Sequence, residues 1–432
     1  MTWRGFRVLI AIILIALLCK ACLVKDTVPN NQKRIQTESD KLQVNYPAPK
    51  NVTINGIDYL ESTAPIGKFG GELVSSTIGE GPKTFNPFNC KDNTSQTMAS
   101  IMYDGLLTSD PITGQPTPKL AKSFSISPNG KTYTIKLRCG IKWSDGKPIT
   151  ADDVVFTWND IIFAGLGDTS TRDSIVIDGK LPTVKKIDNY TVEFTTPKPF
   201  APFIRMLSTS IAPKHVFMPA IKKGSAYFDS FLSTNTKPSD FVVSGAFKLK
   251  EYVPAQRVVF ERNPNYYEIN SKGQKLPYLD KLVYLIVGDL NNEVLKFEAK
   301  ELDVISLQGS KVARYKSLEP HSDFKLYNLG PDTGTMYLSM NLNNRKNNKG
   351  KYYVDPDKQM WFQDLDFRKA VDYAIDRKNM VLNIANGIGA PLFTPESLNS
   401  IYLNKNLKPY DKDLNKSKQL LKKSGFYLDK KG

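Results

Sequence analysis

The sequence predicts an α/β or α+β protein built in several lobes, and three observations carry that expectation. Strand-like and helix-like stretches alternate irregularly, with no repeat period. The length of 432 residues fits two or three domains at roughly 150 residues each, and excludes a small disulfide scaffold or a peptide hormone. Apolar residues make up 41% and charged residues 24%, the balance of an ordinary folded chain, which argues against wholesale disorder. With two His and four Cys, chemistry that needs rich His/Cys metal sites is nearly excluded, whereas 20 Tyr and 22 Phe can build cores or line a groove. The net charge of +16 is spread along the chain with no single basic block, so no nucleic-acid partner is expected.

The elements follow in order. Arg4 and Arg7 precede an unbroken apolar run over residues 8–18. That run is too short to span a bilayer comfortably and right for an export-signal core, and a polar stretch follows it at once. Residues 1–22 are therefore read as a signal peptide with a lipoprotein-like end. Cys22 follows the small residue Ala21, as the lipidated cysteine of a bacterial lipoprotein does, although Cys19, Lys20 and the early Leu18 depart from that pattern. Cys22 is the candidate lipidation site, and the chain is expected outside the cytoplasm, either lipid-anchored at the outer face of the cell membrane or as a soluble periplasmic form. Cleavage before Cys22 removes Arg4, Arg7 and Lys20 and no acid, lowering the net charge by three to +13. Cys90 and Cys139 remain and are read as two unpaired buried thiols.

Residues 23–65 are polar and carry Pro29, Pro47, Pro49 and Pro65, the composition of a tether. The folded body is expected from Gly70-Gly71, with a strand over 72–78, a loop broken by Pro82 and Pro87, and a helix over 94–103. Ser127-Pro128-Asn129-Gly130 is a turn, residues 133–138 alternate as a half-exposed strand, and Asp145-Gly146 is a tight turn. Thr150 opens a helix with Asp152 and Asp153 in its first turn and Val154, Trp158, Ile161 and Ile162 on one face. Strands are predicted at 191–195, 246–252, 257–262 and 282–287, helices at 292–299 and 309–318, and a strand pair at 324–329 and 336–342. A polar segment over 343–359 precedes helices at 364–375 and 413–424.

Catalytic signatures are missing: there is no G-x-S-x-G elbow, Walker loop, H-E-x-x-H or C-x-x-C pair outside the signal. Asp152 with Asp153, and Asp364 with Asp366, are better explained as helix caps than as paired catalytic carboxylates. Tyr266-Tyr267 and Tyr352-Tyr353 are either stacking platforms or ordinary core and surface residues. No catalytic residue, metal site or cofactor is expected, and an exported binding protein is favoured over an enzyme.

Three blocks carry a family resemblance. The first is Leu120-Ala121-Lys122-Ser123-Phe124, then Asn129-Gly130-Lys131-Thr132-Tyr133-Thr134, then Trp143-Ser144-Asp145-Gly146-Lys147-Pro148 through Asp152-Asp153-Val154. The second is Ser244-Gly245-Ala246-Phe247 with Arg262-Asn263-Pro264-Asn265-Tyr266-Tyr267 and Pro277-Tyr278-Leu279-Asp280. The third is Phe367-Arg368-Lys369-Ala370-Val371-Asp372-Tyr373-Ala374-Ile375-Asp376-Arg377. From about Gly70 to Gly432 the chain resembles the family 5 extracytoplasmic solute-binding proteins, the receptors of ABC importers for peptides and, in some branches, nickel. Phe124 stands where that family usually has Trp, and Cys139 is unusual in its turn.

The resemblance implies an α/β fold, a two-lobed clamp of the type II periplasmic-binding-protein kind. Lobe I takes residues 66–95 and 205–290 with an inserted subdomain at 96–204, and residues 291–432 form the hinge and part of lobe II. It implies a peptide ligand, oligopeptide or dipeptide, and permease and ATPase subunits as partners. Alternatives are the same scaffold with a nickel chelate, sugar or haem, or an exported hydrolase. The candidate contacts are backbone groups at Ser76, Thr77, Ile78 and Gly79, with Phe88, Tyr103, Tyr337 and Asn341 lining the cleft, each against a competing reading as ordinary packing. Trp143, Asp145 and Asp153 are expected to hold the inserted subdomain together rather than touch ligand. The family's amine-anchoring Trp-x-x-Asp-Tyr motif lies downstream of the Leu-Leu-x-x-x-Gly-Phe helix, here Leu420 to Phe426, and does not occur in this sequence. Set against the family the chain is C-terminally truncated and lobe II incomplete, as in a gene fragment, one half of a split receptor or a trimmed chain. Weak or no ligand binding and exposed apolar surface on the lobe II helices are then expected.

Overall fold

Among the described residues the strands form four separate sheets. The computed structural model describes residues 48–110, 113–329, 334–398, 400, 403–404, 406–407 and 410–427. Cys22, the expected export signal and residues 23–47 of the expected tether lie outside these. Contacts separate a small unit, Met1–Gln43 with Lys325–Gly330, from a large one, Val44–Phe324 with Pro331–Gly432. In the small unit, Lys325 Nζ lies 5.4 Å from the Tyr327 ring centroid. Every element named below belongs to the large unit.

The strands are β1 (Lys50–Ile54), β2 (Ile57–Glu61), β3 (Glu72–Ile78), β4 (Leu107–Ser109), β5 (Pro116–Pro118), β6 (Ala121–Ile126), β7 (Thr132–Leu137), β8 (Thr183–Asp188), β9 (Thr191–Thr195), β10 (Phe247–Val253), β11 (Arg257–Arg262), β12 (Glu268–Ile269) and β13 (Lys281–Val287). They order as β6-β7-β9-β8, β10-β11-β13-β3, β1-β2-β12 and β4-β5. β7 shows why: Tyr133, Ile135 and Leu137 are buried and the residues between them are not, so one face of the strand enters an apolar core. That core gathers Trp143, Trp158, Phe194 and Phe203. A second core, with Phe85, Met98, Phe217, Phe228 and Phe260, lies under β10 and β11. β3 joins its sheet in parallel with β13, Val74 opposite Val283 and Ile78 opposite Val287.

The helices are α1 (Asn93–Met102), α2 (Ala151–Phe156), α3 (Ser170–Ser174), α4 (Phe203–Met206), α5 (Lys214–Lys222), α6 (Ser225–Ser230), α7 (Leu290–Glu298), α8 (Gly309–Leu318), α9 (Pro356–Gln363), α10 (Leu365–Ala374), α11 (Arg377–Ile384) and α12 (Leu414–Lys423). Asp92, Asp289 and Asp364 cap α1, α7 and α10 by accepting backbone N–H bonds, the bland role expected of Asp364. Thr150 and Asp153 form the capping box of α2, and the predicted inward face of Val154, Trp158, Ile161 and Ile162 is buried. The regular helix stops at Phe156 and continues as a π-helical stretch over Thr157–Phe163. There the Thr157 hydroxyl donates to the Asp153 carbonyl at 2.7 Å and accepts from the Ala212 amide at 2.9 Å, which ties this turn to a neighbouring loop.

Two expectations are corrected. Residues 50–61, placed in the polar tether, fold as the β1–β2 hairpin and pair with β12 in register Glu268 to Leu60. Asn55 and Gly56 both take positive φ, 50° and 79°, the backbone of a two-residue hairpin turn, and Asn-Gly is the strongest short signal for one. The strand expected at 336–342, one half of the pair with 324–329, does not form: the residues there join no ladder, and Met336 and Tyr337 are 95% and 78% exposed. Alternating residues make a strand only where a partner edge accepts the backbone. Cys90 is buried and Cys139 half-buried, and both are free thiols.

Candidate functional site

β3 is the edge strand of its sheet. Its odd residues bond toward β13, and Gly79, at φ +104°, continues the ladder with its N–H on the Val287 carbonyl at 2.8 Å. The even residues therefore aim their backbone groups outward. Val74 is covered: its N–H donates to Asp303 Oδ2 at 2.7 Å, and its carbonyl accepts from the Asp303 N–H at 2.8 Å. Beyond it, the outward N–H and C=O of Ser76 and Ile78 have no partner among the described residues. Above this edge the Ser76 hydroxyl donates to Glu293 Oε1 of α7, and on the opposite face Thr77 and Thr94 hydroxyls meet at 3.1 Å. Ile78 is 39% exposed.

Ser76, Thr77, Ile78 and Gly79 thus form one surface edge. The other candidates do not join it. Phe88 and Tyr103 are 6% and 3% exposed inside the second core, Phe88 edge-on to Phe217 with centroids 5.6 Å apart. These rings line no surface; ordinary packing, the competing reading for both, is where they lie. Burial pushes the Tyr103 hydroxyl well above the ordinary tyrosine range. Tyr337 and Asn341 are exposed; the Asn341 side chain accepts from Asn343 N–H at 3.0 Å, and no hydrogen bond or ring contact links either residue to β3.

The signature block is structural. Trp143 is fully buried, Asp145 meets His215 Nε2 at 2.8 Å, and Asp153 accepts from Lys214 N–H at 2.9 Å, so the block grips α5. A groove of about 460 Å³ lies there, lined by Lys147, Asp153, His215 and Met218. Tyr266 and Tyr267 are not stacking platforms either: both are buried. Sequence reading missed the polar cluster around them. Lys119 Nζ donates to Tyr266 Oη at 2.7 Å and to Glu268, while Tyr267 Oη donates to Asp104 at 2.8 Å. Burial alone would lower Lys119, but Asp104, Tyr267 and Glu268 outweigh it and hold the ammonium above the ordinary lysine range. Burial raises Asp104. These residues lie 104 to 268 along the chain, so no local spacing marks them. Among the described residues no group of three or more His, Cys, Asp or Glu is placed to hold a metal ion, and no helix is long and apolar enough to cross a membrane.

Mixed sheets, helices and an edge strand open beside α7 define a binding-protein fold of the type II periplasmic class. The oligopeptide-binding protein AppA from Bacillus subtilis, solved with a nonapeptide, superimposes with a TM-score of 0.64 at 26% identity, over 84% of this chain and 66% of that one. Residues 115–432 match the bacterial extracellular solute-binding proteins, family 5 Middle, and the chain belongs to that family. A probable ABC transporter-binding protein of Deinococcus radiodurans is 32% identical over 322 residues, 72% of this chain and 52% of the relative. The periplasmic alpha-galactoside-binding protein of Rhizobium meliloti is 30% identical over 72% of this chain and 46% of its own length. The chain thus spans about half the length of these curated relatives.

Proposed function

We propose that the chain is the extracytoplasmic solute-binding component of an ABC importer and that it takes a peptide, oligopeptide or dipeptide, between two lobes. One observation carries the ligand class: the outward backbone groups of Ser76 and Ile78 on an edge strand with no partner among the described residues. An extended peptide adds to such an edge as a further strand, which gives affinity independent of sequence. The nonapeptide bound by AppA supports this reading. Lobe I at residues 66–95 and 205–290 is supported by the pairing of β3 with β13. Permease and ATPase subunits are the partners this reading requires.

The test is a thermal-shift titration with a mixed peptide pool at millimolar concentration. The melting temperature should rise with peptides. Ile78→Pro removes an outward N–H that the β13 ladder does not use, and should weaken peptide binding roughly three- to tenfold with little loss of stability. The alpha-galactoside-binding relative favours one second reading, a sugar ligand on the same scaffold. A rise with alpha-galactosides and none with peptides would establish it and sink the first.

A further inference from the structure

Among the described residues four charged groups, Asp58, Arg138, Asp153 and Glu293, are more than nine-tenths buried, and three of them hold two or more hydrogen bonds. Asp58 pairs with Lys122 at 2.8 Å. Arg138 donates to the Lys119 and Tyr59 carbonyls and to Asn51 Oδ1. Asp153 accepts from the Thr150 and Lys214 amides, both at 2.9 Å. Glu293 is the exception. It is 7% exposed, its Oε1 accepts the Ser76 hydroxyl, and among the described residues no Lys, Arg or His pairs with it. Its place in the first turn of α7 favours an acid through the helix dipole, but that term and one hydroxyl donor are little support for a carboxylate on a residue more than nine-tenths buried. Nothing in the dipole argument requires the side chain to lie on Ser76, the residue where the open stretch of the β3 edge begins.

We propose that Glu293 receives an ammonium group of the ligand at the β3 edge, so that the site selects cationic peptides. The proposal rests on the peptide reading and deepens it. The strand edge binds the backbone without regard to sequence; Glu293 adds a charge-assisted hydrogen bond at one end or one side chain. The ammonium is either a free N-terminus or a lysine side chain, and different peptides separate the two.

The experiment titrates the 432-residue chain and its Glu293→Gln variant with Ala-Ala-Ala, its N-acetylated amide, and N-acetyl-Ala-Lys-Ala-amide. Glutamine keeps the Ser76 hydrogen bond and removes only the charge. The original chain should bind a peptide that carries ammonium about tenfold or more tightly than the acetylated alanine peptide, and Glu293→Gln should erase that ratio without changing affinity for the neutral peptide. A ratio shown by Ala-Ala-Ala assigns the N-terminus; one shown by the lysine peptide assigns the side chain. If Glu293→Gln melts early, Glu293→Asp serves: it keeps the charge, shortens its reach and should reduce the ratio. If peptides bind and the ratio survives Glu293→Gln, Glu293 is structural and this inference fails while the peptide reading stands. If no peptide binds the original chain, both fall.

Discussion

Asp58 is 3% exposed and holds the hairpin to the body through Lys122 and Cys139. Its carboxylate accepts from Thr53 at 2.6 Å, Lys122 at 2.8 Å and the Cys139 amide at 3.1 Å. Burial alone would raise this acid, but the Lys122, Thr53 and Cys139 donors outweigh it and hold its carboxyl below the ordinary aspartate range. A depressed carboxylate stabilises the fold fully above its unfolded pKa of about 3.9 and loses that contribution as pH falls through the lower folded value. Asp58→Asn should cost about 1–3 kcal/mol at pH 7, and the gap between variant and parent in urea melts should shrink as pH drops below about 4. A gap that is constant from pH 7 to pH 3 would show that the charge at Asp58 does not matter. Nothing in the sequence marked this residue: its partners at 53, 122 and 139 come together only when the hairpin docks.

Among the elements, the β1–β2 hairpin shows a signal that was present and not read. The polar, proline-bearing surroundings of residues 23–65 suggested a tether, yet Asn55-Gly56 supplies both positive-φ residues of the turn. No neighbouring atom obstructs a Cβ at Gly56, so Gly56→Ala isolates backbone strain. It should cost roughly 1 kcal/mol and lower the melting temperature by about 2–4 °C, with amide exchange quickening first in residues 50–61. Unchanged exchange there would mean that the turn does not limit the hairpin. The capping box at Thr150 and the strands at 72–78, 191–195 and 257–262 were legible because local backbone chemistry and a one-faced core specify them. The 336–342 strand was read from the same alternation and is unpaired, because alternation names a face and not a partner.

At the scale of the whole molecule, burial is uneven. Among the described residues beyond β13 the buried apolar ones are Val294, Leu302, Tyr315, Val354 and Ala370, while Leu295, Met360, Leu382 and Ile384 are each 60% exposed or more. Local packing persists there: Ser417 donates to the Ala370 carbonyl at 2.8 Å, and Ser424 reaches Asp364 at 2.8 Å, joining α12 to α10. Placement of the whole chain is the remaining prediction at this scale. Anchoring through Cys22 is our proposal from Ala21-Cys22 after the apolar run. Radiolabelled palmitate should enter the parent chain and its membrane fraction, and Cys22→Ser should lose both; label retained by the variant would remove Cys22 from that role.

The sequence alone determined the α/β character and the family, because each is written in contiguous residues whose chemistry acts over a few positions. Tertiary structure decided where the candidate residues lie. Phe88 and Tyr103 went to the core, Tyr337 and Asn341 to the surface, and Glu293 arrived beside Ser76 from 217 positions along the chain. Which edge stays unpaired, and which buried charge lacks a partner, depends on what packs against each strand, and that is a property of the folded contacts rather than of any local pattern.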